Sequence, residues 1–317
     1  MTQVPDVSVV VATHDRAERL EQLLGGLRRQ TLPREAFEVV VVDDASSDTT
    51  QDVLMRERER GVLRLCTPST GERLGPASAR NRGWRLAAAP LIAFTDDDCV
   101  PTPTWLETLV GAAAGHPRAI VRGRTLPNPD EADAIGPFSK TVRINGPSPH
   151  YETCNVAYPR SLLEEIGGFD ESYPSPAGED SDLGCRAVAA GGFPMFTADA
   201  LVHHAVFARG PAEALGDALL ATDGVRAYKR NPELREHLTL GVFYDRSHPL
   251  LLAACAGLVT HRKSLALLLC LPYARQLRTR ARTLGAPAHH AGFLVVFDAV
   301  QLVAAVRGAV RHRSFVL

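Results

Sequence analysis

Three short and continuous runs of apolar residues most constrain what this chain can fold into. The runs are VSVVVA at 7–12, FEVVVV at 37–42 and LIAFT at 91–95. Unbroken apolar runs of this length are typical of strands buried on both faces of a parallel sheet. Leucines at helical spacing after the first run predict a helix over 16–30. Strand and helix therefore alternate, which predicts an α/β fold with a doubly wound, mainly parallel sheet flanked by helices.

Weaker patterns extend this order along the chain. The sequence predicts further strands at 63–66, 153–158, 193–198 and 200–203, further helices at 46–60, 77–88, 160–166 and 181–190, and loops at 125–150 and 171–178. Loops as long as 125–150 are often functional in compact domains. We expect either of the two loops to close over a bound substrate and exclude water.

The charges are unevenly distributed, although the net charge of the 317 residues is only −1. Residues 246–317 carry ten Lys or Arg against one acid, Asp298, which leaves −10 for the first 245 residues. This balance makes nucleic acid an unexpected partner for the N-terminal part, while the basic C-terminal part could meet an anionic partner. The apolar runs of that part, such as 249–259, 264–271 and 293–306, are each predicted to be too short to span a bilayer.

The expected location is the cytoplasm. No basic stretch precedes a long apolar run at the N-terminus, so no signal peptide is predicted. The six cysteines are scattered without a C-x-x-C pair, which indicates reduced thiols more than a disulfide framework or a zinc site.

Acidic clusters stand where predicted strands end, and in such sheets ligands bind at the carboxyl ends of the strands. Asp96, Asp97 and Asp98 follow the run at 91–95, and Asp96 and Asp98 share one face of an extended segment. Neighbouring carboxylates repel one another unless a cation or hydrogen-bond donors compensate, and Mg²⁺ and Mn²⁺ prefer such oxygen ligands. A solvated acidic turn is the alternative interpretation.

Other polar pairs have two interpretations each. Asp44, with Asp43 before it, could cap a turn or bind a base or ribose. Glu179 and Asp180 could be favourable charges at a helix start, or one of them could be a general base for an acceptor hydroxyl. His203 and His204 are structural or complete a metal site. Neither a G-x-G-x-x-G nor a G-x-x-x-x-G-K-[ST] phosphate loop is present.

Seven ordered segments together resemble family 2 glycosyltransferases, which have the GT-A fold and use nucleotide sugars. They are VSVVVATHDR at 7–16, VVVVDDASSDTT at 39–50, GPASARNRGW at 75–84, LIAFTDDDCVP at 91–101, CNVAYPRSLLEEIGGFDE at 154–171, GEDSDLGCRAVAAGG at 178–192 and ADALVHH at 198–204. The resemblance covers about residues 5–205. It implies a catalytic domain over 1–205, with a nucleotide-sugar half at about 1–124 and an acceptor half at about 125–205, and leaves 206–317 as a helical, basic and apolar extension.

The resemblance also implies roles for individual residues. The nucleotide-sugar side would consist of Ala12, Thr13, Asp15, Asp44, Arg80, Asp96 and Asp97. Asp96, Asp98 and His204, with His203 as the alternate, would hold Mn²⁺ or Mg²⁺. Asp180 would be the catalytic base with Glu179 beside it, and Asn155, Gly168, Phe169 and Asp170 would shape the sugar and acceptor side. His14 and Ala12 depart from the Tyr and Pro common in the family.

The predicted activity is transfer of a sugar from a UDP-, dTDP- or GDP-linked donor to an acceptor hydroxyl, with inversion and metal assistance. The alternatives are a non-catalytic nucleotide-sugar-binding or scaffold protein and, less favoured, a sugar-nucleotide pyrophosphorylase. Two interpretations of residues 206–317 stay open: the helices pack on protein, including a second subunit of a homo-oligomer, or they lie on an anionic membrane surface near a lipid-linked acceptor.

Overall fold

The structure, a computed structural model, describes residues 4–173, 175–284 and 290–317. It divides into two compact units, Met1–Ala132 with Thr141–Ala205 and Asp133–Lys140 with Val206–Leu317. Residues 1–3 at the N-terminus lie outside the described residues, as does Pro174 of the predicted loop over 171–178.

The first unit is built on one sheet, which in the described residues has the order β3-β2-β1-β4-β7-β6-β8-β5. The pairs β1·β2, β1·β4, β2·β3 and β6·β8 are parallel, whereas β7 and β5 pair antiparallel with their neighbours. The predicted α/β fold with a mainly parallel sheet is thereby confirmed. The strands are β1 Val7–Thr13, β2 Phe37–Asp43, β3 Leu65–Cys66, β4 Leu91–Phe94, β5 Cys99–Pro101, β6 Ala119–Pro127, β7 Val156–Pro159 and β8 Phe193–His204.

Helices cover both faces of this sheet, which explains why its central strands are apolar without interruption. Val9 and Val11 of β1 pack into the core on one face, and Val10 packs into the core on the other. Gly83 lets its helix approach closely, because a Cβ there would lie 3.1 Å from the Val42 side chain. The helices of this unit are α1 Ala17–Arg28, α2 Thr50–Arg60, α3 Pro76–Leu86, α4 Trp105–Ala113, α5 Arg160–Ile166 and α6 Glu179–Ala189.

Two strand predictions need correction. The strands predicted at 193–198 and 200–203 are one strand, β8, whose register against β6 shifts between Gly123 and Arg124. Thr197 pairs with Gly123 and Leu201 pairs with Arg124, so the residues between them bulge and interrupt the apolar alternation. The predicted loop over 125–150 begins inside β6, and helix α4 and strand β5 were not predicted.

The second unit is helical, as predicted for the C-terminal extension. Its helices are α7 Pro211–Ala218, α8 Ala221–Arg230, α9 Ser247–Leu258, α10 Lys263–Thr283 and α11 His290–His312. Helix α10 contains both the apolar run at 264–271 and the basic segment that follows, and it continues through Pro272. The expectation that no segment reaches membrane-spanning length is wrong: by length and composition α11 could cross a bilayer.

Candidate active site

The polar ends of three neighbouring parallel strands meet at one edge of the sheet. Thr13 at the end of β1 lies beside Asp43 at the end of β2. The aspartates at 96–98 follow β4, the other neighbour of β1, after Thr95. The Thr13 hydroxyl donates a hydrogen bond of 2.8 Å to Oδ2 of Asp97. Burial, and next the charge of Asp98, raise the pKa of Asp97 to about 7. The predicted acidic edge is therefore a real cluster within the first unit.

Two acids predicted on the nucleotide side organise the surrounding loops. Asp44 is buried and accepts hydrogen bonds of 2.8 Å from the backbone nitrogens of Leu74 and Gly75, at the start of α3. Asp15 has a left-handed backbone with a φ of 51° and accepts a 2.6 Å hydrogen bond from the Ser47 nitrogen, which lowers the pKa of Asp15. These bonds hold the loops after β1 and β2 in place, and base contacts by Asp15, Asp44 and the half-buried Ala12 stay predictions.

The third aspartate of the cluster faces a histidine. Nε2 of His204 lies 3.4 Å from Oδ1 of Asp98, while Nδ1 of His204 lies 2.8 Å from the carbonyl oxygen of Ala205. Since a carbonyl oxygen only accepts, Nδ1 donates to Ala205, and Nε2 is the ring nitrogen that faces the carboxylate. A carboxylate oxygen and an imidazole nitrogen at this distance are two donor atoms that one divalent ion can bind together. The residues thus fit a divalent ion.

Cys99 lies beside this pair, and its thiol forms a group with the ligand atoms of Asp98 and His204, all within 4.8 Å of one another. Burial, followed by the proximity of Cys154 and Asp98, raises the pKa of the Cys99 thiol well above its usual value. A neutral thiol is a poor ligand for hard cations, so the carboxylate and the imidazole are the better donors. The sequence pattern did not single out Cys99, although it directly follows the three aspartates.

His203, the alternate ligand, lies in different surroundings. It lines a cavity of about 720 Å³ together with Gln22 of α1 and Glu131, and burial lowers its pKa. In the pairing of β8 with β5, His204 is opposite Cys99 and His203 is opposite Val100. Successive residues of a strand point to opposite faces, so this register favours His204 as the histidine of the acidic cluster.

One buried guanidinium joins the aspartate cluster to the predicted base. Nη2 of Arg80, on α3, lies 2.8 Å from Oδ1 of Asp96, and its Nη1 lies 3.2 Å from Oε1 of Glu179 and 3.7 Å from Oδ1 of Asp180. Burial alone would lower the pKa of Arg80, but the charges of Asp96, Asp180 and Glu179 outweigh it and raise the pKa. Arg80 is therefore a permanent cation that holds three carboxylates in one cluster.

The two carboxylate oxygens of Asp180 differ: one accepts hydrogen bonds from Thr153, and the other accepts none within the described parts of the chain. Oδ2 accepts hydrogen bonds from the backbone nitrogen of Thr153 at 2.9 Å and from the Thr153 hydroxyl at 3.0 Å. Oδ1 is buried and has no hydrogen-bond partner among the described residues. Thr153 lies 27 residues before Asp180, and its role has no signal in the sequence. It fixes the carboxylate so that its second oxygen can accept a proton.

The pKa of Glu179 is raised within this cluster. Burial, and next the charge of Asp180, raise the pKa of Glu179 to about 8. Burial also raises the pKa of Asp180, although Arg80 opposes this. When neighbouring carboxyl groups compete, the proton stays on the group with the higher pKa. Glu179 and Asp180 thus compete for a proton, and Arg80 and the donors of Thr153 favour the ionised form of Asp180.

The raised pKa of Glu179 makes folding depend on pH. Because the pKa rises from 4.5 in an unperturbed carboxyl to about 8, the folded state binds the proton more tightly. The free energy of unfolding therefore decreases as pH rises from about 4.5 to about 8 and then levels off. We expect Glu179→Gln to remove part of this pH dependence. The total change in the free energy of unfolding across this range is on the order of a few kcal/mol. Denaturant titrations of both proteins between about pH 5 and 9 test this; parallel slopes would contradict it.

Asn155, predicted on the acceptor side, is buried and bonded within the chain. Its Oδ1 accepts from the indole nitrogen of Trp105 at 2.8 Å, and its Nδ2 donates to the carbonyl oxygens of Arg124 and Ala200. These bonds join α4, β6 and the bulge of β8. Asn155 therefore stabilises the sheet beside the site, and a direct substrate contact stays a prediction.

The turn at Gly168, Phe169 and Asp170 is fixed by α3. Asn81 Nδ2 donates to the carbonyl oxygen of Phe169, and the Phe169 nitrogen donates back to Asn81 Oδ1, both at 2.9 Å. The Phe169 ring lies 5.8 Å from the Arg80 guanidinium. Asp170 accepts from the backbone of Ser172 at 3.0 Å, at the start of the predicted loop. The turn thus connects that loop to the helix that carries Arg80.

The adjacent glycines of this turn provide a matched stability test. Gly167 and Gly168 have φ values of 78° and 74°, but only at Gly168 would a Cβ collide, with Asn81 and with Nε1 of Trp84 at 2.7 Å. Both alanine variants carry the left-handed backbone cost of roughly 1–2 kcal/mol. We expect Gly168→Ala to lose about 1–3 kcal/mol more in the free energy of unfolding. Equal losses in denaturant titrations would contradict the close packing.

Comparisons with known proteins agree with this geometry. The family "Glycosyl transferase family 2" matches residues 8–167. A curated relative, validoxylamine A glucosyltransferase of Streptomyces hygroscopicus subsp. jinggangensis, is 35% identical over 229 residues, covering 61% of this chain and 54% of the relative. The chain thus spans about half the length of the validoxylamine A glucosyltransferases that it matches.

Solved structures show the same fold. The mannosyltransferase PcManGT from Pyrobaculum calidifontis, in complex with GDP-Man and Mn²⁺, has a TM-score of 0.64 and 25% identity, covering 97% of this chain and 88% of its own. Residues 1–349 of S. aureus TarS, in complex with UDP-GlcNAc, have a TM-score of 0.56 and 18% identity, covering 97% of this chain and 92% of theirs. The latter likeness is one of fold alone.

Proposed function

The chain belongs to glycosyl transferase family 2, and from that premise we propose that it transfers a sugar from a nucleoside-diphosphate sugar to an acceptor hydroxyl with inversion. One observation carries the proposal: a single buried guanidinium, that of Arg80, contacts both Asp96 of the acidic strand end and Asp180 of the helix start. Donor-side and acceptor-side groups therefore belong to one cluster.

In the proposed reaction Asp180 is the general base. Its Oδ1 takes the proton from the acceptor hydroxyl as the acceptor oxygen forms a bond to the anomeric carbon of the donor sugar. The bond from that carbon to the phosphate oxygen breaks on the opposite side, and the nucleoside diphosphate leaves with the electron pair. This single displacement inverts the anomeric carbon. A positioned carboxylate contributes about 10²–10⁴-fold to such a step.

Asp98 and His204 would hold the divalent ion, with Asp96 near them on the donor side. When bound there, the ion stabilises negative charge on the leaving diphosphate as a Lewis acid. The neutral imidazole in the ligand set favours Mn²⁺ over Mg²⁺. The Thr13 hydroxyl already binds Asp97, so Asp96 and Asp98 are the members of this cluster that would face the donor.

The proposed surroundings are the cytoplasm and the inner face of the cell membrane, with a lipid-linked acceptor. All six cysteines, each within the described residues, are free thiols, which suits a reducing compartment. The basic excess of residues 246–317 suits an anionic lipid surface.

A thermal-shift panel of UDP-, dTDP- and GDP-sugars, with and without Mn²⁺, tests the proposed donor site. A ligand that binds only the folded state raises its stability by RT ln(1 + [L]/Kd). We expect one nucleotide series to raise the melting temperature in the presence of Mn²⁺, and product formation with an acceptor to follow. Shifts without any turnover would favour a non-catalytic nucleotide-sugar-binding protein instead.

A further inference from the structure

Exposed large apolar side chains are concentrated on the hairpin formed by α9 and α10. Leu258 and Val259 at the end of α9 are 78% and 79% exposed, and Leu267 and Leu268 in the first half of α10 are 65% and 68% exposed. Soluble surfaces rarely carry so many neighbouring exposed aliphatic side chains without a partner.

The hairpin has a definite inner side. Gly257 of α9 packs on α10 so closely that a Cβ would lie 3.0 Å from Cβ of Leu269. Further along α10, the Tyr273 hydroxyl and the Arg280 guanidinium hold the buried Asp298 of α11, at 2.9 and 2.6 Å. The inner sides of both helices therefore pack against other helices of this unit.

The outer side of α10 changes from apolar to basic residues along the helix. Leu268, Leu271, Arg275, Arg278 and Arg282 recur at spacings of three and four residues, so they share one face of the helix. All five are exposed in the described parts of the chain. The face is apolar near the hairpin turn and basic beyond it, over about 20 Å of helix.

The outer side of α9 repeats the apolar half of this pattern. Leu252, Cys255, Ala256 and Val259 lie at i, i+3, i+4 and i+7 and are all exposed. The turn that joins the helices carries His261, Arg262 and Lys263, which are exposed as well. Basic residues thus stand at both ends of an apolar surface. We name it the hairpin face and define it as residues 252–271 with Arg275, Arg278 and Arg282.

We propose that the hairpin face docks on an anionic phospholipid bilayer, lying in its interfacial plane. Aliphatic side chains enter the boundary of the acyl chains, while the basic residues at both ends bind phosphate head groups. With 12 residues, α9 is about 18 Å long and cannot span a hydrocarbon core of roughly 30 Å. This deepens the location suggested above by naming the segment that binds, and its test requires no turnover.

Flotation of the full-length protein with phosphatidylcholine vesicles, with and without phosphatidylglycerol, tests the docking. We expect binding to the anionic vesicles that weakens with salt. Leu267→Gln with Leu268→Gln should weaken it at least tenfold, since both side chains are exposed and the fold does not need them. Arg275→Gln with Arg278→Gln should weaken it roughly fivefold per arginine, and only on anionic vesicles.

A matched control replaces two exposed apolar residues of the first unit, Leu86→Gln with Phe193→Gln, and should leave vesicle binding unchanged. The proposal is overturned if the wild-type protein ignores phosphatidylglycerol vesicles at low salt, or if the leucine variant binds them like the wild type. It is also overturned if the leucine variant merely converts a dimer to a monomer with vesicle binding intact. Donor-induced thermal shifts, measured in parallel, report on the transfer site separately.

Discussion

Asp180→Asn is expected to lower kcat for sugar transfer by about 10²–10⁴-fold while the donor dissociation constant stays within a few-fold of the wild-type value. The amide cannot take the acceptor proton, but it has the shape to keep the hydrogen bonds of Thr153. Burial raises the pKa of Asp180, so its carboxylate carries a desolvation cost that a neutral amide avoids, and the variant should not unfold more easily. Single-turnover assays beside donor titrations separate the two effects, and normal turnover would refute the base assignment.

Thr153 supplies the control for how Asp180 acts. Thr153→Ser keeps the hydroxyl donor to Asp180 Oδ2 and should retain near wild-type kcat. Thr153→Val removes the hydroxyl and keeps the size, so we expect kcat to fall about tenfold at unchanged donor affinity. A purely structural residue would instead lower the melting temperature of the valine variant and leave kcat per folded molecule unaltered.

The pattern of apolar residues in the sequence predicted the strands that are buried on both faces of the sheet. β1, β2 and β4 are buried on both faces, so their apolar character appears in the sequence without interruption. β8 lacks such a continuous apolar run, because its first residues are exposed and its register against β6 shifts beside Gly123. α4 begins at a fully buried Trp105 whose indole bonds to Asn155, 50 residues away. Such contacts are set by tertiary structure, and no local spacing reports them.

The candidate site divides in the same way. Asp96, Asp98, Asp180 and His204 stand at strand ends or a helix start, where position alone suggests chemistry. The contact of Thr153 and the raised pKa of Glu179 depend on distances across the fold and on burial, which sequence does not reveal. Asp44 has a contact of the same kind: its carboxylate binds the backbone before α3, and its predicted base contact stays a prediction.

Replacing His204 by alanine is expected to weaken Mn²⁺ binding at least about 100-fold, while His203→Ala should leave it nearly unchanged. The two residues are neighbours in β8, so the pair tests the strand register as well as the ligand. His204 is opposite Cys99 and faces Asp98, whereas His203 is opposite Val100 and lines a different cavity. A slip of one residue would exchange their faces.

Calorimetric titration of Mn²⁺ in the presence of a bound nucleoside diphosphate measures this difference directly. Asp98→Ala should resemble His204→Ala, because each removes one of two donor atoms that lie 3.4 Å apart. The loss should also appear as a smaller kcat, since the ion stabilises charge on the leaving diphosphate by several kcal/mol. If His203→Ala lost the ion and His204→Ala kept it, both the register of β8 and the assigned ligand pair would be wrong. If neither variant changed Mn²⁺ affinity, His204 would face Asp98 for a structural reason, and the donor site would not use this histidine.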